Sequence, residues 1–443
     1  MKRSKFAVIL VLILALFVTV SAYAQGPSSY DTGFQVQNLS GSSDANVVIT
    51  YYNQNGTVDA TTNDTILAGT STTYFGANME ASPGFNGSVV IASDTPVAAI
   101  VNLLGDGGAF GGASYDSFGA GASSANIPLV TNNFFNISTF FNVQNTGASD
   151  VTVNVDYIGA GGCSESPVTI APGAAATFDQ TATCLGSGFI GSATVDAGAG
   201  SVAVAVVQYD ADSLLAYNGF TSDGSDTAVA PLVSHNYFGS RTALQVQNTS
   251  AASASVTVNF TPSAGFPGSA CSQTQTIAAG ASGNYGDDAF FLNAANGCNA
   301  GSGWVGSAEV DAGAGNTVVA IVNSVTSGTP NAAAYAAFDP NTGTQTVNFP
   351  LIMDRNFGIF TGFSVANAGA AATDVTCTFS GTTYTASATG LAAGASLTDV
   401  QLNKISSGYV GSATCTADQP IVGVVSQLGG SGDKLLYYEG FNN

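Results

Sequence analysis

Apolar and polar residues alternate along short stretches of the chain, most clearly near residue 150. Val151, Val153, Val155 and Tyr157 are separated by single polar residues, so their side chains lie on one face of an extended segment. Residues 146–150, which include Gly, Ser and Asp, separate this stretch from a second alternating stretch before it. The pattern predicts two half-buried strands joined by a turn.

Similar short stretches recur through the rest of the chain, and none has the periodicity of an amphipathic helix. Repeat 2 alone contains about seven of them in about a hundred residues, bounded by Gly, Pro, Asn or Ser. Many short strands separated by turns are typical of two antiparallel sheets packed face to face. The predicted fold is therefore all-β and built from β-sandwiches.

Three motifs recur in the same order four times, which indicates a tandem array. Their period is roughly 100 to 120 residues, the size of a domain rather than of a solenoid turn. The predicted β-sandwich units are 25–130, 131–233, 234–352 and 353–443. The motifs are Val-Gln-Asn (36–38, 143–145, 246–248, and Val-Ala-Asn at 365–367), Gly-aromatic-x-Gly-Ser (84–88, 188–192, 303–307, 408–412) and Tyr-x-x-Phe (115–118, 217–220, 335–338, 438–441).

Short apolar segments containing proline stand between the units, at 127–130, 230–233 and 349–352. Flexible tethers are rich in Gly and Ser, so these junctions predict closely docked neighbours and a fairly stiff rod. Repeat 1 begins without such a segment, and repeat 4 ends without one. We therefore expect an unpaired strand edge on one terminal unit, and its completion by a strand of another molecule is one hypothesis. A short, solvated edge is the favoured alternative.

The N-terminus has the parts of an export signal. Three basic residues within the first five precede an apolar run over residues 6–20, and the alanines at 22 and 24 suit cleavage. A membrane anchor is the alternative, but the run is about fifteen residues long, shorter than a spanning helix. We expect a signal peptide at 1–24 and a secreted protein with no transmembrane segment in the mature chain.

Charge is scarce and mostly negative. Beyond the leader only Arg241, Arg355, Lys404 and Lys434 are positive, against 28 Asp and Glu residues. Binding to nucleic acid requires Lys and Arg to neutralise phosphates, so that function is excluded. Charged residues make up only 8% of the chain, which leaves a surface built from Ser, Thr, Asn, Gln and Gly.

Six cysteines fall two to a unit in the last three repeats. In an exported chain this distribution predicts one disulfide within each unit, namely Cys163–Cys184, Cys271–Cys298 and Cys377–Cys415. The last bridge is expected to cross between the two sheets, because both cysteines occupy inward strand positions. A zinc site is the alternative, but no Cys-x-x-Cys occurs and His235 is the only histidine.

The aromatic residue of the Gly-aromatic-x-Gly-Ser motif is Phe85, Phe189, Trp304 or Tyr409. A row of exposed rings would stack on sugars, whereas a ring at the start of a strand would fill the core. Because Phe is tolerated at this position, core packing is favoured. For the Tyr-x-x-Phe motif we expect packing at an edge strand, with the tyrosine hydroxyl bonded to a loop carbonyl.

Acidic loops suggest calcium as the one candidate metal or cofactor. They resemble fragments of oxygen-ligand loops, but none carries the full ligand series of an EF-hand. Solvated turns are the favoured interpretation, and the metal sites stay open. The three pairs are Asp210 with Asp212, Asp223 with Asp226, and Asp287 with Asp288.

Catalytic motifs do not occur in the sequence. A Ser/His/Asp site would have to use His235, which lies in a junction without a nucleophile elbow. The HExxH motif, the Walker loop and the dinucleotide fingerprint are missing. A glycosidase-like carboxylate pair is the arrangement that 28 acidic residues leave open. We predict a protein that is not an enzyme, with no catalytic and no cofactor-binding residue.

The export signal, the tandem sandwich-like units, the acidic composition and the strands rich in Thr, Val, Ala, Gly and Asn resemble bacterial surface-layer and cell-surface repeat proteins with immunoglobulin-like domains. The resemblance covers the chain beyond the leader and rests on composition and repeat style. It implies a structural role at the cell surface with self-association. The alternative is an adhesin or carbohydrate-binding protein whose partner is a cell-surface glycan. The sequence contains no Leu-Pro-x-Thr-Gly sorting signal and no lipobox cysteine.

Overall fold

The protein is all-β, as the alternating pattern predicts. The computed structural model describes residue 27 and residues 29–108, 110–181, 183–286, 303–429 and 435–442. Antiparallel strands dominate these ranges, with short 3-10 turns at Gly76–Asn78, Asp106–Gly108 and Pro340–Thr342. No helix within the described ranges is long and apolar enough to span a membrane. The predicted signal peptide, residues 1–24, lies outside them.

Within the described ranges each repeat contributes seven or eight strands. Repeat 1 contains β1 (Tyr30–Asn38), β2 (Ala45–Asn53), β3 (Val58–Ile66), β4 (Ser71–Tyr74), β5 (Gly87–Ser93), β6 (Val97–Gly105) and β7 (Gly111–Asp116). Repeat 2 contains β8 (Ser124–Asn132), β9 (Ser138–Asn145), β10 (Val151–Ile158), β11 (Val168–Ile170), β12 (Ala175–Asp179), β13 (Phe189–Asp196), β14 (Val202–Tyr209) and β15 (Leu214–Asn218). Repeat 3 contains β16 (Thr227–Tyr237), β17 (Ser240–Asn248), β18 (Ala254–Pro262), β19 (Cys271–Ile277), β20 (Ser282–Gly286), β21 (Trp304–Asp311), β22 (Val318–Thr326) and β23 (Ala332–Ala336). Repeat 4 contains β24 (Thr344–Asp354), β25 (Ile359–Asn367), β26 (Thr373–Phe379), β27 (Thr385–Leu391), β28 (Ser396–Val400), β29 (Tyr409–Gly429), β30 (Leu436–Glu439) and β31 (Phe441–Asn442).

The strands of each repeat form two facing antiparallel sheets. In repeats 1 to 4 the first sheet has the orders β4–β1–β6–β7, β12–β9–β14–β15, β20–β17–β22–β23 and β28–β25–β29–β30. The second sheet has the orders β3–β2–β5, β11–β10–β13–β8, β19–β18–β21–β16 and β27–β26–β29–β24. The long strand β29 continues from the second sheet of repeat 4 into the first.

The core of each sandwich lies between its two sheets. In β10 the four alternating residues Val151, Val153, Val155 and Tyr157 are at most 4% exposed. They belong to one hydrophobic cluster with residues of the opposite sheet such as Phe141. Burying each such side chain contributes about 1.5–3 kcal/mol relative to leaving it exposed. The half-buried strand predicted from the alternation is therefore confirmed.

The junction segments are edge strands of the second sheet. Strand β8 pairs with β13, β16 with β21, and β24 with β29, so each junction strand belongs to the sandwich that follows it. The units therefore begin at these three strands, before the proline segments rather than after them. The ladder register shifts at each Pro-Leu pair, which forms a β-bulge there.

The four sandwiches close into a ring, and the predicted rod is wrong. The edge strands β7, β15, β23 and β30 contact one another in turn around the centre, and β30 returns to β7. Hydrophobic clusters continue across the borders, since Ile100 of repeat 1 belongs to the core of repeat 4. Closely docked repeats turn the chain by a similar angle at each step, and four such steps bring its ends together.

Two of the three predicted disulfides are present, Cys163–Cys184 and Cys377–Cys415. The expected course of the second bridge is wrong. Cys377 and Cys415 lie directly opposite each other on neighbouring strands of one sheet, with Cα atoms 3.9 Å apart. Both face the core, but the register of β26 and β29 makes the bridge cross-strand rather than cross-sheet. Cys298 lies outside the described residues, so the Cys271–Cys298 bridge stays a prediction.

Candidate functional site

The asparagine of the Val-Gln-Asn motif bridges the two sheets of each sandwich. Asn145, at the end of β9, donates from Nδ2 to the carbonyl oxygens of Ser149 (2.8 Å) and Ile170 (2.9 Å), and its Oδ1 accepts the N–H of Gly147 (2.9 Å). The other three repeats form the same three hydrogen bonds through Asn38, Asn248 and Asn367. All four side chains are fully or almost fully buried, so the motif is structural.

The serine of the Gly-aromatic-x-Gly-Ser motif joins neighbouring repeats. Ser88, Ser192 and Ser307 each donate a hydrogen bond from the side chain to a glycine carbonyl in the next repeat, at Gly173, Gly280 and Gly394 respectively. At the fourth border Ser412 and Gly69 line a cleft of about 240 Å³ between repeats 4 and 1. The motif therefore marks the borders of the ring.

The backbone geometry explains why both positions of this motif are occupied by glycine. The first adopts a positive φ in every repeat, for example +87° at Gly188. A methyl group on the second, Gly191, would overlap the carbonyl oxygen of Ile158 on the neighbouring strand.

The aromatic ring of the motif packs in the core, as favoured above. Phe189 and Trp304 are only 4% and 2% exposed. Phe85 is half-buried and meets Tyr51 edge to face, with ring centroids 5.8 Å apart. Tyr409 is half-buried and donates its hydroxyl to the Ser380 carbonyl. These rings do not form an exposed platform for sugars.

The tyrosine of the Tyr-x-x-Phe motif holds the junction strand. The Tyr217 hydroxyl donates to the carbonyl of Leu129 (2.7 Å) and accepts its N–H (3.4 Å), at the Pro-Leu bulge of β8. Tyr335 with Leu232 and Tyr438 with Leu351 repeat both hydrogen bonds. The expected bond from this hydroxyl to a carbonyl is confirmed in repeats 2, 3 and 4, and its partner is the junction strand.

The described acidic loop residues form hydrogen bonds within their own turn or to a neighbouring strand. Oδ1 of Asp210 accepts the N–H groups of Asp212 (3.0 Å) and Ser213 (2.9 Å), which is a turn-capping arrangement. Asp223 lies within hydrogen-bond distance of Asn126, on the strand that starts repeat 2. The described residues hold no group of three or more His, Cys, Asp or Glu side chains placed to bind a metal. Asp287 and Asp288 lie outside them.

His235 lies near the end of β16, where it is opposite Arg241 on β17 and Trp304 on β21. Its carbonyl accepts the N–H of Gly303 over 3.0 Å. The histidine is thus part of a sheet ladder at the border of the two sheets.

Sequence reasoning missed three exposed aromatic side chains at equivalent hairpins. Phe135, Phe238 and Phe357 are 68%, 87% and 97% exposed, and each lies between the junction strand and the first strand of the first sheet. We call them the phenylalanine tips. Successive repeats make equivalent border contacts, so we expect equivalent hairpins to lie on the same face of the ring. The signal in the sequence is an aromatic residue before Asn or Gly, a few residues after each junction.

The phenylalanine tips adopt an unfavourable backbone conformation. All three have φ of +49°, and the residue after each, Asn136, Gly239 or Gly358, also has a positive φ. Two consecutive residues of positive φ form the two-residue hairpin that normally prefers Asn-Gly. A left-handed Phe costs on the order of 1 kcal/mol or more, and such strain is concentrated at functional sites.

A buried carboxyl pair lies at the axis of the ring. Asp116 and Glu439 each follow the tyrosine of their Tyr-x-x-Phe motif, and they are 7% and 8% exposed. The N–H of Glu439 donates to Oδ2 of Asp116 over 3.0 Å, and Glu439 also accepts the N–H of Ala336 from repeat 3. Burial, and then repulsion by the Glu439 carboxyl, raise the pKa of Asp116 well above its usual value.

Asn218 of repeat 2 bonds the same carboxyl-bearing residue, Asp116. Its side chain accepts the N–H of Asp116 (3.1 Å) and donates to the carbonyl of the same residue (2.9 Å). All four repeats therefore meet through the residue that follows the motif tyrosine, and the carboxyl pair is part of ring closure.

A comparison with models of known protein families finds no match, and a comparison with curated protein sequences finds none either. The functional argument therefore rests on the geometry of this chain. Its most exposed aromatic side chains in the described residues are the three phenylalanine tips, which suit contact with another surface.

Proposed function

We propose that this protein is a secreted, non-enzymatic structural protein of the cell surface that self-associates through its phenylalanine tips. The observation that carries the proposal is the exposure of Phe135, Phe238 and Phe357 at equivalent positions. Single exposed apolar residues are ordinary, but a repeated set of strained, exposed aromatic rings is a feature of interaction sites.

The surroundings of the tips favour association. Asn133, Asn136 and Asn236 flank the rings of repeats 2 and 3, and the charge of Arg355 beside Phe357 is paired with Asp354 (2.7 Å). Such a face loses little hydration energy when another surface covers it, because few ions need to be desolvated.

Extracellular location has separate support. The two disulfides are typical of an oxidising compartment, and the N-terminal sequence reads as an export signal. Disulfides stabilise proteins outside the cell, which supports the extracellular location that we propose for this chain.

Sedimentation velocity and negative-stain microscopy on the secreted protein test the proposal. The wild type should form ordered assemblies as its concentration rises, while the triple variant Phe135→Ser, Phe238→Ser, Phe357→Ser should remain monomeric. A matched control replaces three other exposed apolar residues, as Val48→Thr, Val58→Thr and Leu67→Ser, and should assemble like the wild type. A wild type that stays monomeric at all concentrations would refute self-association.

The same three rings favour an adhesin or carbohydrate-binding protein as the second candidate function. Exposed aromatic side chains offer flat apolar faces to sugar rings, and three on one face would engage a repeating glycan with avidity. A glycan array separates the two candidates. An adhesin should bind a defined glycan as a monomer and lose that binding in the Phe triple variant.

A further inference from the structure

Among the residues that the structure describes, repeat 1 has no counterpart of the edge strand found in every other repeat. Its second sheet is β3–β2–β5, and among the described residues β5 pairs only with β2. In repeats 2, 3 and 4 the corresponding edge is covered by β8, β16 or β24. An uncovered edge presents unpaired N–H and C=O groups that can accept another strand.

The core beneath this edge is open. Val89 and Ile91 on β5 are only half-buried, and Val90 is 40% exposed. The residues equivalent to Val89 and Ile91 in the other repeats are at most 1% exposed, namely Ala193 and Val195, Ala308 and Val310, and Ala413 and Cys415. The missing strand accounts for the difference, because in those repeats it lies directly beside these positions.

In repeat 1, the polar groups equivalent to those that bond the junction strand elsewhere have no partner among the described residues. Tyr115 is the equivalent of Tyr217, but within the described chain its hydroxyl makes no hydrogen bond, and burial raises its pKa to about 12. The backbone of Phe220 pairs with Asn126 of the junction strand, and that of Phe338 pairs with Val229. Phe118, at the same position, forms no such pair with any described residue. Both unused groups face the place of the missing strand.

We propose that the open edge of β5 binds an extended peptide strand from a partner protein, with an apolar-Pro-Leu-aliphatic sequence. The three junction strands are the templates, since they read Ile-Pro-Leu-Val, Ala-Pro-Leu-Val and Phe-Pro-Leu-Ile. The Pro-Leu bulge releases the leucine N–H and C=O from the ladder and presents them to the tyrosine hydroxyl. This is recognition by strand addition, with backbone bonds for affinity and the bulge for specificity.

The occupant is a partner protein rather than a second copy. In the described part of this chain each junction strand is already paired in its own sheet, so a folded copy has none to donate. Residues 17–25 stand at the equivalent distance before β1, but all except Gln25 fall within the predicted leader. Removal of this predicted leader would leave the edge of β5 to another molecule.

Phe140 of repeat 2 belongs to the same small hydrophobic cluster as Tyr115. The equivalent residues in the other repeats are Gly33, Ala243 and Gly362, so this ring is the one large side chain at that position. Because Phe140 packs in the same cluster as Tyr115, it offers a second position for substitution in the experiment.

The test uses the secreted protein and a fluorescent nine-residue peptide with the sequence of β8, Ser-Ala-Asn-Ile-Pro-Leu-Val-Thr-Asn. Fluorescence anisotropy should show saturable binding, with none for a scrambled peptide. Tyr115→Phe should weaken binding about tenfold, because two hydrogen bonds to the leucine are lost. The matched control Tyr217→Phe removes the same hydroxyl from a complete repeat and should leave peptide binding unchanged. Hydrogen exchange should slow in β5 when the peptide binds.

Three results would overturn the proposal. The first is a peptide that does not bind, or that binds Tyr115→Phe as well as the wild type. The second is binding that appears only in Phe140→Ala, which would mean that the aromatic ring seals the edge within the chain. The third is N-terminal sequencing that finds residues 17–24 retained, together with β5 amides already protected before the peptide is added.

Discussion

The Ser192 side chain of repeat 2 donates a hydrogen bond to the Gly280 carbonyl of repeat 3, over 2.7 Å. The donor follows the Gly-aromatic pair at the start of β13, and the acceptor lies in the turn before β20. Three borders of the ring use this bond, whereas Ser412 at the fourth border lines the cleft that contains Gly69. The border where the ring closes is therefore different from the three borders inside the chain.

This difference predicts unequal effects of serine substitution. Ser192→Ala should lower the free energy of unfolding by about 1 kcal/mol, the usual net value of one hydrogen bond, and Ser307→Ala should do the same. Ser412→Ala should have a clearly smaller effect. Urea titration followed by tyrosine fluorescence measures the three values. Equal losses for all three variants would contradict the distinction between the borders.

The buried carboxyl pair predicts a protein that loses stability as the pH rises. The pKa of Asp116 is higher in the fold than in the unfolded chain, so the folded state keeps a proton that the unfolded state releases. The contribution is fully present below the unfolded value near 4 and is lost as the pH rises through the folded pKa. Thermal unfolding between pH 4 and pH 8 should show the decline, and Asp116→Asn should flatten it while raising the melting temperature at pH 8.

The groups that surround the Asp116 carboxyl tie the predicted pH dependence to this residue. After burial, the Glu439 carboxyl is the main cause of the raised pKa of Asp116. Burial, with a smaller contribution from the Asp116 carboxyl, raises the pKa of the Tyr438 hydroxyl. Asp354 supplies a control of opposite sign. Burial alone would raise the pKa of Asp354, but Arg355 and the N–H groups of Asn403 and Ile405 outweigh burial and hold it below its usual range. Asp354→Asn should therefore lower stability at neutral pH, and an Asp116→Asn variant that behaved likewise would contradict the prediction.

The sheet-bridging asparagine predicts a large and local loss of stability. Asn145→Ala removes three hydrogen bonds and leaves the carbonyls of Ser149 and Ile170 without their donor, which should cost about 2–4 kcal/mol. Asn145→Asp should be at least as damaging, because a carboxylate cannot donate to either carbonyl. Gln144→Ala is the matched control, since that neighbour makes one long contact of 3.4 Å and is only half-buried. Equal denaturant midpoints for Gln144→Ala and Asn145→Ala would show that the asparagine bridge contributes no more to stability than its neighbour does.

Local features of the fold could be predicted from the sequence because local patterns determine them. The alternation around Val151 identifies a strand and its inward face, and the spacing of the motifs identifies four units. The register between strands is not local. Cys377 and Cys415 were both recognised as inward, yet an inward position is compatible with a partner on the same sheet or on the opposite one, and only the pairing of β26 with β29 decides between them.

Ring closure and the exposure of the phenylalanine tips could not be predicted from the sequence, for a related reason. Ring closure depends on contacts such as Glu439 with Asp116, more than 300 residues apart, and neither side chain belongs to a recognisable motif. The tips were missed because an aromatic residue in a junction suggests packing, and only a backbone of positive φ turns Phe357 outward. In contrast, a hydrogen bond from the Tyr217 hydroxyl to a carbonyl follows from the sequence, since a buried tyrosine hydroxyl needs a partner, but only the structure shows that the carbonyl belongs to the junction strand rather than to a loop.

The phenylalanine tips predict a trade between stability and association. Phe357 occupies a left-handed position before Gly358, where Asn is the preferred residue. Phe357→Asn should therefore relieve strain and stabilise the monomer by about 1 kcal/mol, since nothing buried is lost from a side chain that is 97% exposed. The same change should weaken self-association, which sedimentation measures alongside the melting temperature. Val410→Asn, at an exposed strand position with no positive φ, is the control and should bring neither change. A Phe357→Asn variant that gains stability but assembles like the wild type would separate the strained hairpin from the proposed contact, and would leave Phe135 and Phe238 to carry it.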